Sequence, residues 1–364
     1  MANKKNLDDI EPYRAGKPIE EVKREMALEE VVKMASNENP LGPSPKALAA
    51  VRKNLGEINH YPDGNCFYLK SALEKKWDLD KDCFVIGNGS DEIVMLMAAT
   101  FLDEGDEAII GWPSFVIYPL VIKKFGGQVV LVKLKDFRYD LSAMAKALTK
   151  NTKLIFIANP NNPTGTIITR DEMNKFLQEI PQSVLVVFDE AYAELVDSPS
   201  YPETINLIKE RPNLVMLRSF SKAYGLAGLR IGYGAGSKEI IGYLNKMREP
   251  FNVNKLAQMA AAAALEDAEF LAKTKKLIQT GRKYLYRALR KRGINCIPTE
   301  ANFILMEMPL SGEEVFERML KKGIIVRPLK EYHLENYIRL TIGKPNHNRQ
   351  FIEVLDKVLF KSSP

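Results

Sequence analysis

The chain has 364 residues, 46% of them hydrophobic and 27% charged, with a net charge of +6. That length supports a large core and two lobes, and the composition is that of a globular enzyme rather than a fibrous or disordered chain. The positive excess is too small to argue for a nucleic-acid or membrane partner but suits anionic substrates, and no stretch approaches the 18 apolar residues of a spanning helix.

Residues 1 to 35 are polar and contain Pro12, Gly16 and Pro18, so they read as an arm rather than a core element. The start Met1-Ala2-Asn3-Lys4-Lys5 has no apolar signal region behind it. Cys66, Cys83 and Cys296 are scattered and show no CxxC spacing, and His60, His333 and His347 form no HExxH pattern. Neither a zinc site nor a disulfide framework is indicated, and a reducing cytoplasm is the default reading.

Helical periodicity covers Pro45–Leu55, Phe67–Trp77 and Ser90–Phe101, the last with a Ser-Asp-Glu start. Short β-rich runs follow at Ala108–Gly111, Val129–Lys133, Leu154–Ala158, Val184–Phe188 and Leu214–Leu217. Helical stretches such as Leu141–Leu148 and Arg170–Ile180 separate several of them. Apolar strands alternating with helices imply an α/β fold whose central sheet is mostly parallel and flanked by helices. The glycine-rich run Leu229–Gly236 reads as one more strand.

After Lys238 the pattern changes to an alanine-rich helix at Val253–Leu265 and a long basic helix from Ala268 to Lys291. The basic run Lys273–Arg292 reads as a solvated helix face. Three β-like runs, Asn302–Met306, Ile324–Arg327 and Tyr337–Ile342, complete an α+β lobe. The expected division is an N-terminal arm of residues 1–35, a large domain of 36–245 and a small C-terminal α+β domain of 246–364.

The chemistry gathers where apolar strands end, which is where ligands sit in an α/β sheet. Asp189 ends the run Val184–Phe188. A carboxylate there is costly to bury without a positive partner, and a protonated pyridine nitrogen is one such partner. A helix cap is the plain alternative. Tyr192 could aim a phenol at the same ring, or be an ordinary half-buried tyrosine. Lys222 lies in Ser219-Phe220-Ser221-Lys222 and is followed by Arg230. A free lysine has a pKa of about 10.4, so burial and a fixed cation such as Arg230 would be needed to activate it.

Gly87-Asn88-Gly89-Ser90-Asp91-Glu92 lies between a strand and a helix, where backbone N–H groups can cradle phosphate. Glu92 stands at the third glycine of a dinucleotide fingerprint, so that reading fails, and a simple helix cap remains open. Asn162, before Pro163, could donate to a cofactor oxygen or serve only a turn. Phe115, in Trp112-Pro113-Ser114-Phe115, could stack on a ring or pack in the core. An amine, a carboxylate, a phenol, an amide and a guanidinium at successive strand ends are the equipment needed to hold pyridoxal phosphate (PLP).

Together these segments resemble the fold-type I aminotransferases over nearly the whole chain. The histidinol-phosphate branch is resembled through Pro12-Tyr13 with Gly16-Lys17-Pro18, Ala35-Ser36-Asn37-Glu38-Asn39-Pro40, His60-Tyr61-Pro62-Asp63-Gly64 and Gly225-Leu226-Ala227-Gly228-Leu229-Arg230. The resemblance implies that 36–245 is the PLP-binding domain. It implies that Lys222 forms the Schiff base and shuttles the proton, that Asp189 pairs with the ring nitrogen, and that Asn162 and Tyr192 hold the 3′ oxygen. Gly89, Ser90, Asp91, Ser219, Ser221 and Arg230 would surround the cofactor phosphate, with Phe115 over the ring.

Tyr61 would reach that phosphate from the other subunit of a homodimer. Arg339 and Arg327 would grip the substrate anion, with Asn37 and Tyr13 at the pocket edge; a surface ion pair is the plain alternative for the two arginines. The implied reaction exchanges the amino group between L-histidinol phosphate and the glutamate/2-oxoglutarate pair, in histidine synthesis. An aromatic amino-acid aminotransferase, and a PLP-dependent decarboxylase of phosphorylated amino acids, use similar equipment. Ser219 stands where many relatives have threonine, and Phe115 where some have tyrosine.

Overall fold

The computed structural model describes residues 16–360, together with Asp8 and residues 10–12. Tyr13 therefore lies outside the described residues. In chain order the first elements are α1 (Ile19–Met26), β1 (Val32–Lys33), α2 (Pro45–Asn54), α3 (Phe67–Trp77), β2 (Phe84–Gly87), α4 (Ser90–Phe101) and β3 (Glu107–Trp112). They continue with α5 (Ile117–Lys124), β4 (Gln128–Lys133), α6 (Leu141–Lys146), β5 (Thr152–Ala158), α7 (Arg170–Glu179), β6 (Leu185–Asp189) and α8 (Thr204–Leu207). Then come β7 (Leu214–Ser219), β8 (Gly232–Ala235), α9 (Lys238–Met247), α10 (Lys255–Leu265) and α11 (Ala268–Arg290). The C-terminal part is β9 (Phe303–Glu307), α12 (Gly312–Leu320), β10 (Ile324–Ile325), β11 (Arg327–Leu329), β12 (Leu334–Thr341) and α13 (Pro345–Leu359).

A seven-stranded sheet in the order β2-β8-β7-β6-β5-β3-β4 forms the centre. Its strands read as unbroken apolar runs because both faces are covered. Phe156 and Phe188 on adjacent strands are fully buried, one in each of the two apolar layers that flank the sheet. Strands β3 to β7 pair in parallel, as the alternation of strand and helix predicts. The exception is β8, which runs antiparallel to both β7 and β2. A parallel neighbour needs a crossover, usually a helix, and the segment between β7 and β8 contains only the short 3₁₀ turn Ala227–Leu229. The strand expected at Leu229–Gly236 is shortened for the same reason.

A three-stranded antiparallel sheet, β11-β12-β9, packs with α11, α12 and α13 around a separate core containing Ile304, Ile338 and Phe351. The run expected as one strand at Ile324–Arg327 is split, β10 pairing with β1 and β11 with β12. The segment read as a polar arm is more engaged than expected in its described part. Val22 of α1 is fully buried against Ala35, Leu320 and Ile325, and β1 pairs in parallel with β10. Among the described residues no helix is long and apolar enough to cross a membrane.

Candidate active site

A cavity of about 290 Å³ opens where β5, β6 and β7 end and the C-terminal sheet faces them. Asp189 is the last residue of β6 and Ser219 the last of β7, so a simple parallel register delivers both to the same edge. Ser221 and Lys222 follow in the turn after β7, and Asn162 follows β5 in the Asn159–Gly165 loop. The cavity brings together Ser90, Asp91, Phe115, Asn162, Asp189, Tyr192, Ser219, Ser221, Lys222, Arg230, Arg327 and Arg339, with Asn37. Gly89 is the N-cap of α4 rather than a wall. Tyr61 is 83% exposed, lies outside the cavity lining, and stacks on Phe251 at 4.9 Å.

Asp189 is buried, and burial raises its pKa to about 6 against the pull of its hydrogen bonds. Its Oδ2 accepts from the Tyr118 hydroxyl at 2.9 Å and its Oδ1 from the Ala191 N–H at 3.2 Å. It does not act as a cap of a following α-helix, since only the 3₁₀ turn Ala193–Leu195 comes next. Lys222 donates to the Ser36 carbonyl at 3.2 Å, with its Nζ 5.9 Å from the Tyr192 ring centroid. Its pKa falls to about 8, first through burial and then through the Arg339 charge. The sequence alone points to Arg230 as the cation with this effect, and the structure gives the larger part to Arg339. Arg230 is turned toward Asp91 at 3.3 Å and contributes less than Arg339.

At one end of the cavity, α4 begins with Ser90 and Asp91, whose backbone N–H groups have no intrahelical acceptor by construction. Ser219, Ser221 and Arg230 join them. Gly89 is obligatory there. Its φ of +83° with ψ of 164° lies in a region that is essentially open to glycine alone. Helix start, hydroxyls and guanidinium make an anion cradle.

At the other end, Arg327 and Arg339 are register partners on β11 and β12. Arg339 is buried, with Nη1 donating to Asn162 Oδ1 at 2.5 Å and Nη2 to the Ala35 carbonyl at 2.8 Å. Its Nε is a buried donor with no protein acceptor among the described residues. The bond from Arg339 also orients Asn162, leaving the amide nitrogen as that side chain's donating end. Arg327 pairs with Glu331 at 2.6 Å. A surface ion pair describes Arg327 in part and Arg339 not at all.

Asn37 lines the cavity, where it was expected, but the residues that hold it were not legible as such. Asn37, at φ +56°, donates through Nδ2 to the Tyr192 phenol at 2.9 Å. It is held by Thr341, whose Oγ1 donates to Asn37 Oδ1 at 3.2 Å, and by Asn302, whose Nδ2 donates to the Asn37 carbonyl at 2.9 Å. These partners come from the C-terminal sheet, and no local pattern links them to residue 37. On the far side of β6 and β7, Glu190 and Arg218 form a buried ion pair at 2.6 Å that Glu194 joins at 3.0 Å. Strand alternation was the available signal. If Asp189 and Ser219 face the cavity, Glu190 and Arg218 face away and must satisfy each other.

The residues fit a pyridine ring with a phosphate tail. An anion cradle, a buried carboxylate, a half-buried amine that is easily neutralised, and phenol and amide groups share one cavity with an unsatisfied guanidinium N–H.

The model of aminotransferase classes I and II matches residues 29–355. The histidinol-phosphate aminotransferase of Moorella thermoacetica is 46% identical over 351 residues, covering 96% of this chain and 91% of that protein. Histidinol-phosphate aminotransferase 2 of Carboxydothermus hydrogenoformans is 44% identical over 98% of this chain and 99% of its own length. The crystal structure of histidinol-phosphate aminotransferase from Sinorhizobium meliloti, in complex with pyridoxal-5′-phosphate, superposes with a TM-score of 0.90 at 26% identity, covering 98% of this chain and 96% of that one. The fold-type I architecture read from strand order and cavity thus coincides with that of solved relatives, and the chain belongs to the class I and II aminotransferases, in their histidinol-phosphate branch.

Proposed function

We propose that this chain transfers the amino group of L-histidinol phosphate to 2-oxoglutarate, giving imidazole acetol phosphate and L-glutamate, with PLP as cofactor. The pairing of Arg327 with Arg339 across β11 and β12, in the same cavity as Lys222, carries the reading. Two guanidinium forks on one wall match a phosphate dianion better than a single carboxylate, which one fork would satisfy. The names of relatives at 44% and 46% identity support the same substrate.

In this reading Asp189 would hold the ring nitrogen, Asn162 and Tyr192 the 3′ oxygen, and Phe115 a ring face. Ser90, Asp91, Ser219, Ser221 and Arg230 would hold the phosphate. When bound, PLP supplies an electron sink for the carbanion at the substrate's Cα. Lys222 is suited to move that proton: with a pKa near 8 its Nζ is neutral in a useful fraction of molecules and can take and return a proton. Arg339 both positions the anion and keeps Lys222 from holding its proton too firmly. Asp189 is buried and Lys222 half-buried, so each of these interactions is less screened than it would be at the surface.

We further propose a homodimer with shared sites. The segment from Leu55 to Tyr68 leaves Leu55, Ile58, Tyr61, Phe67 and Tyr68 exposed, next to an exposed Phe251. Exposed apolar side chains at this density are what a subunit interface covers. The division into residues 1–35, 36–245 and 246–364 and a cytoplasmic setting belong to the same proposal, the latter supported by three free cysteines.

The test is a half-reaction. The PLP form is mixed with L-histidinol phosphate or with L-phenylalanine, and conversion to the pyridoxamine form is followed by absorbance. Fast conversion with the phosphate donor and slow conversion with phenylalanine are expected. The opposite order would make the protein an aromatic aminotransferase, with Arg339 on the α-carboxylate.

A further inference from the structure

Tyr118 was not singled out by any motif, yet it is among the most constrained residues in the molecule. It lies in the first turn of α5, directly after the loop that carries Phe115 into the cavity. Its side chain is fully buried. The ring stacks on Phe156 of β5, with centroids 5.1 Å apart and planes at 12°, and meets Phe115 edge-on at 5.5 Å. Flanked by two rings, the phenol has little rotational choice. Its hydroxyl donates to Asp189 Oδ2 at 2.9 Å. Burial beside that carboxylate pushes the Tyr118 pKa well above the ordinary value, so the group remains a donor throughout the working pH range.

Among the described residues the carboxylate has one other protein donor, the Ala191 N–H at 3.2 Å. Two donors from different elements fix the plane of a buried carboxylate, which otherwise could rotate about its last torsion. A hydrogen bond from a neutral donor also favours the ionised form against the cost of burial. We propose that Tyr118 is a positioning residue that holds Asp189 ionised and oriented toward the cavity, and that it couples the ring-stacking residue Phe115 to the carboxylate at the ring nitrogen. This rests on the reading that the cavity holds PLP with Asp189 at its ring nitrogen.

The variant that isolates the hydroxyl is Tyr118→Phe, which keeps both ring contacts. PLP is titrated into cofactor-free protein, and its affinity is compared for wild type, Tyr118→Phe, Asp189→Asn and the double variant. Steady-state kinetics with L-histidinol phosphate accompany the titration. The Tyr118→Phe substitution should weaken PLP binding roughly ten- to a hundred-fold, the range for loss of a buried charge-assisted hydrogen bond. It should lower kcat while leaving KM for the amino donor within about two-fold, because the donor's anion sites are untouched. In the Asp189→Asn background the same substitution should change PLP affinity by less than about three-fold, since its effect passes through the carboxylate.

An equal loss in both backgrounds would show a packing role and overturn the proposal, as would unchanged PLP affinity in Tyr118→Phe. If wild type binds PLP and Asp189→Asn binds it equally well, it is the cofactor reading of Asp189 that fails, and the comparison separates the two failures.

Discussion

Lys222 and Asp189 are opposite charges placed where neither is comfortable. The amine has its pKa lowered to about 8 and the carboxyl has its pKa raised to about 6, in both cases chiefly by burial. For the lysine, the unfolded chain holds more protons than the folded one between pH 8 and its ordinary value of 10.5, so stability rises with pH across that window. For the aspartate, the folded chain holds more protons between its ordinary value of 3.8 and 6, so stability falls as pH rises there. At neutral pH the cofactor-free pocket therefore carries both penalties. We expect Lys222→Met to stabilise the cofactor-free protein at pH 7 by about 3 kcal/mol or less, an advantage that fades toward pH 10, while amino transfer falls at least ~100-fold. Urea unfolding at several pH values, beside the half-reaction, checks both parts. Asp189→Asn should likewise raise cofactor-free stability at pH 7 and weaken PLP binding at least ~10-fold, measured by titration. A lower stability in either variant would mean that the buried charges are better satisfied than their surroundings indicate.

At the scale of elements, the turn between β7 and β8 sets the position of Lys222, and a glycine makes it possible. Gly225 has φ +71°, and a Cβ there would lie 2.0 Å from the Gly42 carbonyl oxygen. Gly228 in the same turn has open space around it. Gly225→Ala should therefore cost at least ~2 kcal/mol in denaturant unfolding, and Gly228→Ala less than about 1. Similar losses at the two positions would argue against the tight packing of this turn. Legibility in the sequence followed the same division between local and distant. The Phe67–Trp77 and Ser90–Phe101 helices carry their own periodicity, and Asp189 and Ser219 could be placed because a parallel strand delivers its last residue to a known edge. Tyr118, Thr341 and Asn302 could not, since each acts through a partner far away in sequence. Arg339 could be expected at the pocket, where the structure has it, but its larger effect on Lys222 than that of Arg230 depends on how the C-terminal sheet faces β7. The antiparallel β8 was missed because a glycine-rich apolar run says nothing of direction.

Across the whole molecule, Tyr61 is exposed and lies outside the lining of the cavity that its own chain builds. If two copies complete each other's sites, Ile58→Asp, a charge placed on a residue that is 67% exposed beside Tyr61, should give a folded monomer with weakened PLP binding. Sedimentation and a PLP titration read the two effects. Tyr61→Phe and Lys222→Ala subunits, each impaired alone, should regain part of their activity when mixed. No recovery after demonstrated subunit exchange would exclude shared sites.

The Asn37 and Arg339 contacts reach further than the geometry of the pocket. The Asn37 N–H donates to Thr341 and Arg339 to the Ala35 carbonyl, so two of the bonds that close the site each span 304 residues. A growing chain can fold its N-terminal portion as it emerges, but it cannot make either bond until β12 has been synthesised. What waits for the nearly complete chain is therefore the substrate end of the site: a fragment ending before Arg339 carries the side chains assigned to the ring and its phosphate but lacks the buried guanidinium assigned to the substrate anion.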